Sequence, residues 1–170
     1  MSKIAAAFLA FLGITLLSMP MSAQLIPSGN VYAGVSYGQF TDVINKQSYR
    51  GFEGSVEAFP FAVHPHFGVV LDGSGYFRSG VQQYNFLLGP RYSWNFGKWR
   101  PFVHVMGGIQ RVNSNDTIYD PVAIDAGGGA DYKLFFKNFS WRIQGDYIRT
   151  HYAATTQNAY RASTGIVWRF

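Results

Sequence analysis

The residues able to do chemistry are few, and histidines come first. His64 and His66 flank Pro65. A His-x-His pair can bring two imidazoles to a metal ion, but two ligands alone leave a metal site incomplete. A polar turn is the plainer expectation there. His104 shares a face with Met106, Gly108 and Gln110, and His151 begins a loop. Carboxylates and guanidiniums come second. Arg91, Arg142 and Arg161 fall on the same kind of face as Glu53, Glu57, Asp131 and Asp146. Facing inward, they would form a buried ion-pair network, since a lone buried charge is costly and a paired one is tolerated. The functional alternatives are a narrow ion path or a catalytic acid pair. No cysteine occurs, which excludes a thiol nucleophile, a zinc ribbon and a disulfide framework. There is no P-loop and no dinucleotide fingerprint. No catalytic, cofactor-binding or metal-binding residue is therefore assigned, and no cofactor is expected.

Strands must position these groups. From about residue 31 the chain alternates between two kinds of residue in runs of strand length. Eight strands are expected, at about 31–40, 49–59, 66–77, 81–94, 100–112, 122–133, 140–150 and 159–170. Glycines scattered through these runs, Gly127-Gly128-Gly129 above all, oppose helix, where Gly costs about 1 kcal/mol relative to Ala.

The two faces differ in kind. In the fourth strand Tyr84, Phe86, Leu88, Pro90, Tyr92 and Trp94 oppose Gln83, Asn85, Gly89, Arg91 and Ser93, with Leu87 the exception. In the eighth, Tyr160, Ala162, Thr164, Ile166, Trp168 and Phe170 oppose Arg161, Ser163, Gly165, Val167 and Arg169. A soluble barrel would turn the apolar face inward; a transmembrane barrel does the reverse and carries aromatic girdles. Aromatics near strand ends favour the second: Tyr32, Phe40, Phe77, Tyr92, Trp94, Trp99, Tyr147, Tyr160, Trp168 and Phe170. So does a polar face rich in Gly and Ser, because eight strands leave an interior just wide enough for side chains. Gly34, Ser36, Gly38, Ser55, Gly68, Ser74, Gly108, Gly127, Gly129, Ser163 and Gly165 would make room for Asp72, Gln110, Asp125 and the charged groups above. Segments 60–65, 95–99 and 134–139 read as short turns on the side of the termini. Segments 41–48, 113–121 and 151–158 read as more polar loops on the other.

Composition agrees. Charged residues make up 14% of the 170 and aromatics 18%, yet mean hydropathy is −0.01. Aromatic richness excludes a disordered chain, and a helical membrane bundle would need repeated apolar runs of about 20 residues. Residues 1–23 read as a secretory signal peptide: Lys3, an apolar stretch from Ile4 to Leu17, a break at Pro20 and small residues Ser22-Ala23. The remainder, 24–170, is then a single barrel domain. Removing Lys3 lowers the formal charge from +5 to +4. Those charges are dispersed, so nucleic acid is not expected as a partner. An anionic lipopolysaccharide surface suits exposed cations such as Lys46, Arg78 and Arg149 better.

Several stretches together give the chain a resemblance. These are Arg100-Pro101-Phe102-Val103-His104-Val105-Met106-Gly107-Gly108, Gly127 to Tyr132, Gln144-Gly145-Asp146-Tyr147 and Gly165-Ile166-Val167-Trp168-Arg169-Phe170. Over essentially the whole of 24–170 the chain resembles the small eight-stranded outer-membrane β-barrels of Gram-negative bacteria, the OmpA/OmpX-like superfamily. The resemblance implies an all-β, antiparallel, up-and-down transmembrane barrel with a filled polar interior. It implies outer-membrane localisation, and recognition by the barrel-assembly machinery through Tyr160, Ile166, Trp168 and the terminal Phe170. A monomer is expected. No peptidoglycan-binding domain follows the last strand, so tethering through one is not expected. Some barrels of this kind modify lipid A. The deacylases carry His-x-Ser on an outward strand, and no histidine here has Ser two residues later. The expectation is a non-enzymatic membrane-anchored surface protein. The alternatives are a small pore, a lipid-modifying barrel enzyme or a soluble exported lipocalin-like barrel.

Overall fold

The computed structural model describes residues 28–41, 46–59, 66–78, 81–114, 117–151 and 156–170. The expected leader and the turn holding His64 lie outside these residues. Nine strands follow in chain order: β1 Gly29–Thr41, β2 Lys46–Ala58, β3 Phe67–Arg78, β4 Val81–Ser93, β5 Trp99–Ser114, β6 Thr117–Tyr119, β7 Val122–Lys133, β8 Phe139–His151 and β9 Thr156–Arg169. No described residue is helical.

All pairings are antiparallel. Each strand pairs with its neighbour in sequence except that β7 pairs with β5 rather than β6, and β1 pairs with β9, which closes the sheet. The three-residue β6 is no ninth stave. It pairs with β5 in the register that β7 continues (Val112 opposite Tyr119, then Ile109 opposite Val122). The two are parted only at Asp120-Pro121, where the Gln110 amide still donates to the Pro121 carbonyl at 2.9 Å. Eight staves therefore form the barrel, as expected.

Closure is staggered. Following opposed residues from Val31 leads through Val56, Leu71, Leu88, Gly107, Ile124, Arg149 and Asn158, and returns to β1 at Thr41. That ten-residue offset tilts the staves, as closure of any barrel demands. At the seam Gly34 faces Gly165, and a Cβ on Gly165 would fall on the Ala33 carbonyl oxygen and the Gly34 Cα. The termini meet on one side, where Gly29 and Phe170 exchange backbone hydrogen bonds of 3.1 and 3.0 Å. On that side the β4–β5 turn is tight. Phe96 and Trp99 bridge around Gly97, whose φ of 62° suits glycine.

One expectation needs correcting. Segments 41–48, 113–121 and 151–158 are not loops throughout. Positions 46–48, 113–114, 117–119, 151 and 156–158 are strand, because the antiparallel ladders run on past the barrel wall and satisfy their backbone groups there. The far end is thus built of hairpins.

Outward residues are large and apolar. Val35, Leu71, Phe86, Leu88, Val105 and Ile124 are each 55–65% exposed. Two bands of contacting aromatics flank them. On the terminal side Tyr92 meets Trp94, Trp99 meets Tyr132 and Trp168 meets Phe170; on the hairpin side Phe52 meets Phe77 and Tyr147 meets Tyr160.

Candidate functional site: the charged lumen

Alternation sends every second side chain into the lumen. Arg91, Arg142, Arg161, Glu53, Glu57, Asp72, Asp125, Asp131 and Asp146 are all buried there, as parity predicts. The structure sorts them into two separate clusters.

The first lies toward the termini and has more cations than carboxylates. Arg142 is opposite Asp131 on adjacent staves, and its Nε and Nη2 donate to the two Asp131 oxygens at 2.6 and 3.0 Å. Arg91 reaches Glu57 at 3.0 Å and Asp131 at 3.6 Å. Arg142 also lies 3.7 Å from Glu57, to which Asn30 donates at 2.7 Å. Aromatic faces cover the cations. The Arg91 guanidinium stands 3.4 Å over the Phe102 ring and that of Arg142 5.0 Å over Tyr32, arrangements that stabilise a cation where water is excluded. Two arginines face two carboxylates, and Arg169 joins from the rim at 3.3 Å from Asp131.

The second cluster, at mid-barrel, is unbalanced. Arg161 holds Asp146 at 2.6 Å, Asp72 at 3.1 Å, Asp125 at 3.1 Å and Glu53 at 3.6 Å. Gln144 donates to Glu53 across the lumen. His104 completes the group: its Nε2 lies 3.0 Å from Asp146 Oδ1 and 3.4 Å from Asp125 Oδ1. Neither contact has hydrogen-bond geometry, so the imidazole and the two oxygens meet as ion pairs only. One ligand atom from each of His104, Asp125 and Asp146 lies within 4.8 Å of the others.

Toward the hairpin end the lumen turns apolar. Phe40, Tyr49, Tyr76, Leu87, Met106, Ala123, Ile148 and Ala159 pack together, with the Phe40 ring 5.0 Å from Tyr49 and 5.4 Å from Tyr76. This corrects the assignment of Tyr32 and Phe40 to the outer belts, since each is 2% exposed. Parity explains it. Both share the inward face with Gly34, Ser36 and Gly38, and the glycines leave room for the rings: a Cβ on Gly38 would come within 2.7 Å of Phe40. Leu87, the exception to polar alternation in β4, belongs to this layer.

The remaining histidines stand apart. His66 Nδ1 lies 2.8 Å from the carbonyl oxygen of Ser93, a contact between the start of β3 and the end of β4. Exposed His151 lies 3.3 Å from Thr156 Oγ1. The sequence reading placed His104 in the lumen but did not join it to Asp125 and Asp146. Their common parity was the available signal, and register was the missing fact.

No protein-family model matches the sequence. No curated protein matches it either. Solved structures do share the architecture. Neisserial surface protein A (NspA) superposes with a TM-score of 0.71 at 12% identity, covering 84% of this chain and 97% of that one. Ail, the attachment invasion locus protein of Yersinia pestis, gives 0.54 at 13% identity, covering 84% and 98%. The outer membrane enzyme PagL gives 0.51 at 10% identity, covering 79% and 97%. The likeness is one of fold: a closed, antiparallel, eight-stranded barrel of the kind found in small outer-membrane proteins.

Proposed function

We propose that the chain is an integral outer-membrane protein of a Gram-negative bacterium, a non-enzymatic anchor that presents its hairpin end to the exterior. The observation that carries this reading is inverted polarity. Residues such as Phe86 and Leu88 face outward while Arg91, Arg142 and Arg161 are buried. Soluble proteins rarely fill their interior with charge while exposing so continuous an apolar band. In lipid the same arrangement is favourable, because closure leaves no backbone group unpaired at membrane depth.

A lumen filled by two charge clusters and an apolar layer favours anchoring over conduction. The non-enzymatic part rests on the sequence, in which no histidine has Ser two residues later. Outward Arg50, Arg111 and Arg149 ring the hairpin end, and Arg78 lies at its mouth over the Tyr49 ring, where phosphates of lipopolysaccharide would lie. Phe170, beside Trp168 at 5.3 Å, is offered at the terminal side to the barrel-assembly machinery. Export by cleavage after Ala23 and a monomeric state complete the reading.

Gel migration tests it. After refolding in detergent, the unheated protein is expected to migrate differently from the boiled protein. Full solubility without detergent, together with an unchanged mobility, refutes the membrane assignment.

A further inference from the structure

We propose that His104, Asp125 and Asp146 form a binding site for one divalent transition-metal ion inside the barrel. The three residues come from adjacent staves, β5, β7 and β8. His104 is opposite Gly127, and Gly127 is opposite Asp146. Asp125 stands two residues before Gly127 on the same inward face. Gly127 makes the space in which the three groups meet, since a Cβ there would land on Asp146 Oδ1.

Three observations point to a cation. The first is that the converging atoms are buried and meet one another without hydrogen-bond geometry. His104 is 6% exposed, Asp125 0% and Asp146 5%, and His104 Nε2 and both Oδ1 atoms make no well-aligned hydrogen bond beyond their own ion pairs. The second is spacing. The Nε2 to Oδ1 separations of 3.0 and 3.4 Å are the ligand–ligand edges of a polyhedron with metal–ligand bonds of about 2.0–2.2 Å. The third is orientation. Arg161 takes the other oxygen of each carboxylate, Asp125 Oδ2 at 3.1 Å and Asp146 Oδ2 at 2.6 Å. That leaves both Oδ1 atoms aimed at the imidazole, as outer partners fix carboxylate ligands in metal sites.

Charge agrees. Glu53, Asp72, Asp125 and Asp146 all surround Arg161, so the cluster carries more negative than positive charge, and a divalent ion offsets the excess. One imidazole with two carboxylates suits zinc, cobalt or manganese better than calcium, which prefers oxygen ligands alone. The ion would cross-link three staves from within. The apolar layer lies on one side and the Arg91–Arg142 cluster on the other, so loading is expected as the barrel closes.

The test is refolding of the full chain from urea into detergent with Co2+ or Zn2+ in modest excess, followed by desalting. Metal is counted by mass spectrometry, and the folded fraction is read from heat-sensitive gel mobility. The wild type should retain about one ion per folded barrel, and its Co2+ form should show visible absorption bands typical of an imidazole–carboxylate site. His104→Gln and Asp125→Asn should fold and lose the ion, whereas His66→Ala and His151→Ala should keep it. A folded wild type without metal and with a featureless Co2+ spectrum overturns the proposal, even if the lumen variants fail to fold. Metal that survives in His104→Gln but is lost in His66→Ala or His151→Ala overturns it equally. Gel mobility reports membrane-type folding separately, so failure of the metal site and failure of the membrane reading are distinguishable.

Discussion

Replacing Arg142 with Met removes the central cation of the cluster nearer the termini while keeping a long apolar stem. Arg142 is 1% exposed and donates to Asp131 at 2.6 and 3.0 Å. Removing one partner of a buried pair costs about 3–5 kcal/mol, because the other charge is left without compensation. Asp131 would keep Arg91 at 3.6 Å and Arg169 at 3.3 Å, which places the expected loss near the lower figure, about 3 kcal/mol. With a urea dependence of about 2 kcal/mol/M, the unfolding midpoint should fall by about 1.5 M. The assay is a urea titration of the refolded protein in detergent, read by tryptophan fluorescence and gel mobility together. The double variant Arg142→Met/Asp131→Leu should regain more than half of the loss, because no unpaired carboxylate remains. An Arg142→Met midpoint within about 0.3 M of wild type, or a double variant that loses the sum of the two single losses, would refute buried-charge pairing as the organising force.

Gly165→Ala should destabilise the β1–β9 seam by about 1–3 kcal/mol and reduce the folded band on gels. Gly107→Ala, where a Cβ meets nothing within 4 Å, should leave that band intact. All four tryptophans, Trp94, Trp99, Trp141 and Trp168, face outward at 38–46% exposure. Brominated lipid should therefore quench most of the fluorescence of protein folded in vesicles, and unquenched emission would contradict the outward band. At the hairpin rim Arg111 grips Asp120 at 2.8 and 2.9 Å, and its hydrogen bonds hold the Asp120 carboxyl below its usual range. A depressed carboxyl contributes stability above its unfolded value of about 3.9 and loses it as pH falls through the lower folded value. Carbon-13 titration of Asp120 should show the lowered value, and Arg111→Ala should return it toward the usual range while lowering the urea midpoint only slightly, because the pair is exposed.

Strands, faces and the far reach of the polar lumen were legible because side-chain parity has a period of two and glycine, serine and charge mark one face. Boundaries in β3, β4, β7 and β8 agree within a residue or so for the same reason. The hairpins at 46–48 and 117–119 were not legible, since polar residues there carry no apolar rhythm once the strand leaves the wall. Tyr32 and Phe40 were misplaced because an aromatic near a strand end suits either a belt or a lumen layer, and only its parity with Gly34 and Gly38 decides. The grouping of His104 with Asp125 and Asp146 does not follow from their common parity alone. Arg161 and Asp72 meet although 89 residues apart, and that meeting is fixed by stagger, which alternation does not encode.

Stagger itself therefore needs a physical cause, and the lumen supplies one. Lipid treats outward Phe, Leu and Val alike, so the outer face specifies parity but not register. A one-residue slip would turn every side chain to the wrong face. A two-residue slip keeps each face where it was and costs the outer wall little. Inside, that same slip of β9 along β8 would carry Arg161 about 7 Å from Asp146, which is opposite it now, and would strip Asp72, Asp125 and Glu53 of their shared cation. The penalty for stranding buried carboxylates exceeds anything the outer wall could recover. On this reasoning the charged lumen selects the ten-residue stagger from among the parity-conserving alternatives, while the apolar wall holds the selected barrel in the bilayer.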